Sequence, residues 1–202
     1  MARRSEHSQE EIRGMLLRAA QSLVDEEGCA ALKARRIARE IGYTVASIYM
    51  VYANMDDLIL HVRDETLREL GDLLDEAIAL PQTGKQGVRE LAAVYVDFAG
   101  RRYNRWSMLF TPRLPGGAAL PEWYRQREEG IFARFDKAFP DIAPSRPRRE
   151  NSRAARALWG GIHGICKLSL HDKSDAAAIQ EAQHSVQLLV DNFMRGWIAG
   201  AE

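Results

Sequence analysis

Ile37-Ala38-Arg39-Glu40-Ile41-Gly42-Tyr43-Thr44-Val45-Ala46-Ser47-Ile48-Tyr49-Met50-Val51-Tyr52 is the stretch on which the fold turns. Over 33–40, Ala34, Ile37 and Ala38 face one way and Arg35, Arg36 and Arg39 the other, the spacing of a short amphipathic helix. Gly42 breaks that helix, and Thr44 can cap a second one over 45–51. Upstream, Ser8 and Glu11 form a capping box. Ile12, Leu16, Ala19, Ala20, Leu23 and Val24 then recur on one helical face until Gly28. Three short helices with a tight glycine turn between the last two make a helix-turn-helix. Such a unit rests its second helix on the phosphate backbone and places its third in the major groove. Between Gly28 and Met55 stand Lys33, Arg35, Arg36 and Arg39 against Glu40 alone, a local balance of +3.

Further along, Asn54 can cap a long helix over 55–80 with Leu58, Val62, Leu67, Leu70, Leu74 and Ile78 inward. Pro81-Gln82-Thr83-Gly84 reads as a turn. Helices follow over 85–103, 105–110, 121–139, 149–170 and 174–199, with proline-rich loops over 111–121 and 140–148. No strand-length alternation of apolar and polar residues stands out. The expected fold is therefore all-α, with about nine helices. It divides into a helix-turn-helix DNA-binding domain over 1–54 and a helical ligand-binding and dimerisation domain over 55–202.

The run from Ile37 to Tyr52, continued by Asn54-Met55-Asp56-Asp57-Leu58, resembles the tetracycline-repressor-type (TetR) family. It has the Ile-Ala pair, the glycine turn, the small hydroxyl residue, the tyrosine of the recognition helix, an aromatic three residues on, and a leucine after an acidic pair. Ala19-Ala20 and Glu27-Gly28 also match, so the resemblance covers roughly 9–60. It implies that Thr44 caps the recognition helix, that Val45, Ala46 and Ser47 face base edges, and that Tyr49 hydrogen-bonds a phosphate. Tyr52 either does the same or packs at the domain edge, and Lys33 and Arg35 hold the backbone. Arg36 and Arg39 read equally well as solvated charges. Three departures stand out: Lys33 where a hydroxyl residue is common, Ala46 where glycine is, and Met55 where lysine is. Val45 and Ala46 carry no hydrogen-bonding side chains, so base reading would lean on thymine methyl contacts and groove shape.

Within the second domain, Ala157-Leu158-Trp159-Gly160-Gly161-Ile162-His163-Gly164 resembles a Trp-x-x-x-His-Gly signature of one C-terminal branch of that family. Trp159 and His163 are four apart and stack on one helical face. Ala154, Ala157, Gly161 and Gly164 form a stripe that lets another helix approach. The resemblance places a homodimer interface on the last two helices, where Leu168, Ile179, Val186, Leu189, Val190, Phe193, Met194 and Trp197 are either interface or core. Tyr95, Phe98, Trp106, Phe110, Trp123, Phe132, Phe135, Trp159 and His163 either wall a small-molecule cavity or fill a core. His163 either holds a polar atom of a ligand or is satisfied by a buried carbonyl.

Composition sets the bounds. Hydrophobic residues make 46% and charged residues 28%, with 28 basic and 28 acidic residues in balance. A DNA binder tolerates neutrality when its cations gather on one surface. Two distant cysteines, Cys29 and Cys166, point to a reducing, cytoplasmic setting. The start of the chain lacks the apolar run of a signal peptide, and nothing approaches the roughly 20 apolar residues of a membrane span. His163 and Cys166 lack the further ligands zinc needs, so no metal is expected. No phosphate loop, nucleophile elbow or zinc-protease pair is present, and no cofactor is implied. The expectation is a non-enzymatic transcriptional regulator. It would be a ligand-responsive repressor that binds a double-stranded palindromic operator as a dimer and answers to an unidentified small-molecule effector. The rival class is a helical binding or enzyme module with an incidental basic head.

Overall fold

The computed structural model describes residues 7–80, 84–140, 142–171 and 174–200. Within them the chain is all-α, with nine α-helices and a 3-10 turn. Helix α1 (Gln9–Glu27) starts on the capping box: Glu11 N–H donates to Ser8 Oγ at 3.2 Å and Ser8 N–H to Glu11 Oε2 at 2.6 Å. Helix α2 (Ala34–Glu40) and helix α3 (Val45–Tyr49) meet at a turn where Gly42 takes φ of 72°, a conformation that costs a side chain dearly. Leu16, Ala20, Leu23, Val24, Ile37, Ala38 and Ile48 fill the space between the three helices.

Helix α4 (Met55–Ala79) leaves this head and enters the body, its N-cap Asn54 accepting from Asp57 N–H at 2.9 Å. Helices α5 (Gly84–Arg101), α6 (Tyr103–Trp106), α7 (Glu122–Ala138), α8 (Arg148–Ser169) and α9 (Ala176–Ala199) complete the body. Helix α4 packs on α5 and α7, α7 on α8, and both α5 and α8 on α9. The α8–α9 approach is close: a Cβ on Gly161 would sit 2.7 Å from Leu189 Cδ2.

Several expectations shift. Ile78 lies on the outer side of α4, because the buried stripe there runs through Leu74 and Ala77. The turn expected at Pro81-Gln82-Thr83 lies outside the described residues. Helix α6 begins earlier and ends at Trp106; Met108 and Leu109 are buried from a turn, without needing helix to be so. Helix α9 starts after Asp175, whose carboxylate accepts Ala178 N–H at 2.8 Å. Ser174 instead bonds back to His171. The loop over 111–121 closes through one bridge, Arg113 to Ala119, and Gly116 N–H donates to the Asp56 carboxylate at 3.1 Å.

The small-residue stripe on α8 divides. Ala154 is buried and Gly161 faces Leu189 of α9 in the same chain, whereas Ala157 is exposed and Gly164 has open space where a Cβ would stand. Val186, Val190 and Met194 are buried within the chain, so these three are core. Leu168 is 90% exposed, and Leu188, which the periodicity did not single out, is 66% exposed.

Head and body meet at a seam of fixed contacts. Arg13 of α1 sets its Nη1 3.3 Å from Nε2 of His61 on α4, and within the head its Nη2 donates to Val51 O at 2.6 Å with the guanidinium 4.8 Å from the Tyr52 ring centre. Arg105 of α6 is buried and pairs with Asp25 of α1 at 2.7 Å and Glu69 of α4 at 2.9 Å.

Candidate functional site

Helix α3 is anchored by a single fully buried side chain, Ile48. Thr44, Ala46 and Tyr49 are exposed, and Val45 and Ser47 partly so. Thr44 occupies the N-cap with extended backbone, but its Oγ1 lies 3.1 Å from Ser47 Oγ and caps no backbone N–H, unlike the expectation. Lys33, at the N-cap of α2, and Arg35 are exposed. Arg36 is otherwise engaged. It forms a two-pronged pair with Glu27, which holds the Glu27 carboxyl below its ordinary range. Between Gly28 and Met55, the exposed cations with no acidic partner among the described residues are therefore Lys33, Arg35 and Arg39. Tyr49 is 49% exposed with its hydroxyl free of intramolecular bonds, while Tyr52 is 1% exposed and donates to Arg13 O at 3.3 Å. Tyr52 is thus withdrawn from any surface contact and packs at the edge of the head. Met55 is folded partly against the core.

In the body, the nine aromatic and imidazole candidates separate into groups. Phe110, Phe132, Trp159 and His163 line a cavity of about 360 Å³ that is broadly open to solvent, with Thr111, Pro112, Leu120 and Glu128. Tyr95, Trp106 and Phe135 are fully buried behind it. Phe98 faces a different groove, of about 740 Å³, between the head and α4, α5 and α6. Trp123 is 42% exposed near His61 and belongs to neither.

The tautomer of His163 follows from its neighbours. Trp106 Nε1 donates to Tyr95 Oη at 3.2 Å, so the Tyr95 hydroxyl spends its own proton on His163 Nδ1 at 2.8 Å. Otherwise that proton would be buried without a partner. The ring is then neutral with its proton on Nε2, and burial, helped by the nearby Lys167 charge, pulls its pKa down to about 4. The partner is a phenol rather than the backbone carbonyl considered from sequence. Cys166 is buried and its thiol is pushed up to about 12. Among the described residues, no three His, Cys, Asp or Glu side chains gather as metal ligands.

Two residues of the site escaped the sequence reading. Glu128 lies four residues after Tyr124 and four before Phe132, on the cavity face of α7. Burial lifts its pKa to about 7, opposed by the Arg63 charge, reinforced by Glu129 and opposed again by Arg125. Arg63 is 2% exposed, and its Nη2 donates to Thr111 Oγ1 at 2.7 Å while Nε and Nη1 find no acceptor. Its signal was a charge set in the apolar stripe Ile59, Arg63, Leu67, Leu70 of α4.

Residues 16–62 match the profile of the bacterial regulatory proteins of the tetR family, and residues 88–193 match the tetracyclin repressor-like C-terminal domain. The HTH-type transcriptional regulator Rv1816 of Mycobacterium tuberculosis is 24% identical over 136 residues, 66% of this chain and 56% of that relative's length. A protein of unknown function from Rhodococcus sp. RHA1 superposes with a TM-score of 0.74 at 20% identity, over 96% of this chain and 98% of its own. FadR from Bacillus subtilis, solved in complex with stearoyl-CoA, gives 0.65 at 15% identity, over 88% and 97%. No helix among the described residues is long and apolar enough to cross a membrane.

Proposed function

The chain belongs to the tetR family of bacterial regulatory proteins, and on that premise we propose that it is a DNA-binding transcriptional regulator, a ligand-responsive repressor acting as a homodimer on a palindromic operator. The observation that carries this reading is the exposure of Thr44, Ala46, Tyr49, Lys33 and Arg35, none of them buried in the packing of the head. Lys33 and Arg35 hold phosphates as point and fork charges, and Tyr49 donates its hydroxyl to another. Val45 and Ala46 offer methyl groups to thymine, and Ser47 offers a hydroxyl whose present neighbour is Thr44. Residues 1–54 form the reading domain and residues 55–202 the sensing and pairing domain, with the division at the Asn54 cap.

Two such heads read a palindrome when their recognition helices stand about 34–36 Å apart, or a multiple of it. Pairing through α8 and α9 uses the exposed Leu168 and Leu188 beside Ala157 and Gly164. The effector sits in the cavity walled by Phe110, Phe132, Trp159 and His163 and acts by preferring one spacing of the heads, since equal affinity for both would move nothing. The protein works in the cytoplasm by binding rather than by catalysis. Fluorescence anisotropy with DNA flanking its own gene tests the reading. Sequence-dependent binding that weakens steeply with salt is expected. Binding indifferent to sequence and salt would sink it.

A further inference from the structure

The reading of the cavity as the effector site leaves its ligand's chemistry open, and the walls constrain it. Among the described residues, the side-chain polar groups at or just behind those walls that lack a partner are donors, with one exception. Trp159 Nε1 is buried with no acceptor, and so are Nε and Nη1 of Arg63, which stands behind Thr111. His163 Nε2–H, fixed as a donor by Tyr95, has no protein partner. The exception is Glu128, which makes no hydrogen bond to the protein. A buried donor without an acceptor costs free energy that a bound acceptor recovers.

We propose, resting on that reading, that the cavity takes a compact apolar molecule carrying one carboxylate, seated against Thr111 and Glu128 with Arg63 as its counter-charge. The apolar body fills the space between Phe110, Phe132, Trp159 and Leu120, a volume at the small end of the roughly 300–1,000 Å³ of ligand sites. What decides the sign of the ligand is that the two ionisable groups are unequal. The guanidinium of Arg63 cannot lose its proton, whereas Glu128 sheds its charge readily. An anion therefore keeps Arg63 as a partner and turns Glu128 into a hydrogen-bond donor; a cation would meet an immovable like charge. The groups facing Glu128 are Arg63 from α4, His163 from α8, and Arg125 and Glu129 on its own helix. His163 is neutral above about pH 4, so the proton taken up on binding goes to Glu128.

Calorimetric titration of the intact protein with a panel of aryl- and alkyl-substituted monocarboxylates, each against its primary amide, tests this. The best acid is expected to bind about tenfold or more tighter than its amide below pH 7; above it, up to about one proton is taken up on binding and affinity falls by up to about tenfold per pH unit. Arg63→Gln should erase the acid preference. Glu128→Gln, which keeps size and folding, should make acid binding independent of pH. Amides that bind and release DNA as well as the acids would overturn the acid assignment while leaving the regulator standing. An acid preference that survives in Arg63→Gln, or pH dependence that survives in Glu128→Gln, would overturn it too. A panel in which nothing binds, with DNA binding intact, would remove the cavity as effector site and the proposal with it.

Discussion

Tyr49 and Tyr52 stand three residues apart and face opposite worlds, one half in solvent and the other sealed beneath Arg13. Tyr49→Phe is expected to weaken operator binding by about 0.5–1.5 kcal/mol, roughly two- to tenfold, with an unchanged unfolding midpoint. Tyr52→Ala should instead destabilise the fold by about 3–5 kcal/mol, as loss of a large buried aromatic does. Anisotropy and denaturant unfolding on both variants check the pair, and a Tyr49→Phe protein with full affinity would remove Tyr49 from the reading surface. The distinction was within reach of the sequence, because Ile48 and Tyr52 are four apart and share a face that Tyr49 does not. Arg36 was less legible. Its pairing with Glu27 joins two helices, and no spacing rule within one helix predicts it. Arg63 showed as a charge in an apolar stripe, but which of its nitrogens lack acceptors depends on where Thr111 comes to rest.

At the scale of elements, helix starts with side-chain caps were readable to within two residues, since Ser8, Asn54 and Asp175 each accept a backbone N–H that only a helix start leaves free. Helix α6 was less so: an apolar run tells of burial, and Met108 and Leu109 are buried from a turn. Its position has consequences. Arg105 clamps Asp25 of the head to Glu69 of α4, and the next residue, Trp106, hands a hydrogen bond through Tyr95 to His163 at the cavity wall. Removing one side of a buried ion pair costs about 3–5 kcal/mol, and less here because both carboxylates are a third exposed. Arg105→Met should therefore lower stability by roughly 1–3 kcal/mol. It should also leave DNA affinity less responsive to ligand, measured as the ratio of operator Kd with and without effector. An unchanged ratio would clear α6 of any part in transmission. For α8 and α9, the sequence could not say which apolar residues face inward, because α9 is apolar on more than one side. Leu188→Glu is expected to shift the protein from dimer toward monomer in analytical ultracentrifugation, with little change in secondary structure.

For the molecule as a whole, two cavity residues pull stability in opposite directions across one pH window. The unfolded His163 ring takes its proton near 6.5 and the folded one only near 4, so its share of stability is lost as pH falls through that interval. Glu128 behaves in reverse: the folded carboxyl keeps its proton to about 7 and the unfolded one releases it near 4.5, so its share is lost as pH rises. Each slope is at most about 1.4 kcal/mol per pH unit and smaller where solvent screens. The wild type should thus be nearly flat over this window. Glu128→Gln should gain stability steadily from about pH 4 to 6.5 and exceed the wild type at pH 7, as followed by urea unfolding at a series of pH values. A Glu128→Gln profile parallel to the wild type would refute the opposition. The three-helix N-terminal head was plain from sequence, because its motif is local. The cavity was not, since its walls come from α7, α8 and the loop after α6, far apart along the chain. The head has one further property, in the single buried side chain that anchors α3. Once Ile48 is kept, the outward positions around it carry no folding debt. On the proposed reading, target choice can then drift by substitution at the exposed Ala46 and Met50 without passing through unstable intermediates, so a duplicated copy of this gene has an open path to a new set of promoters.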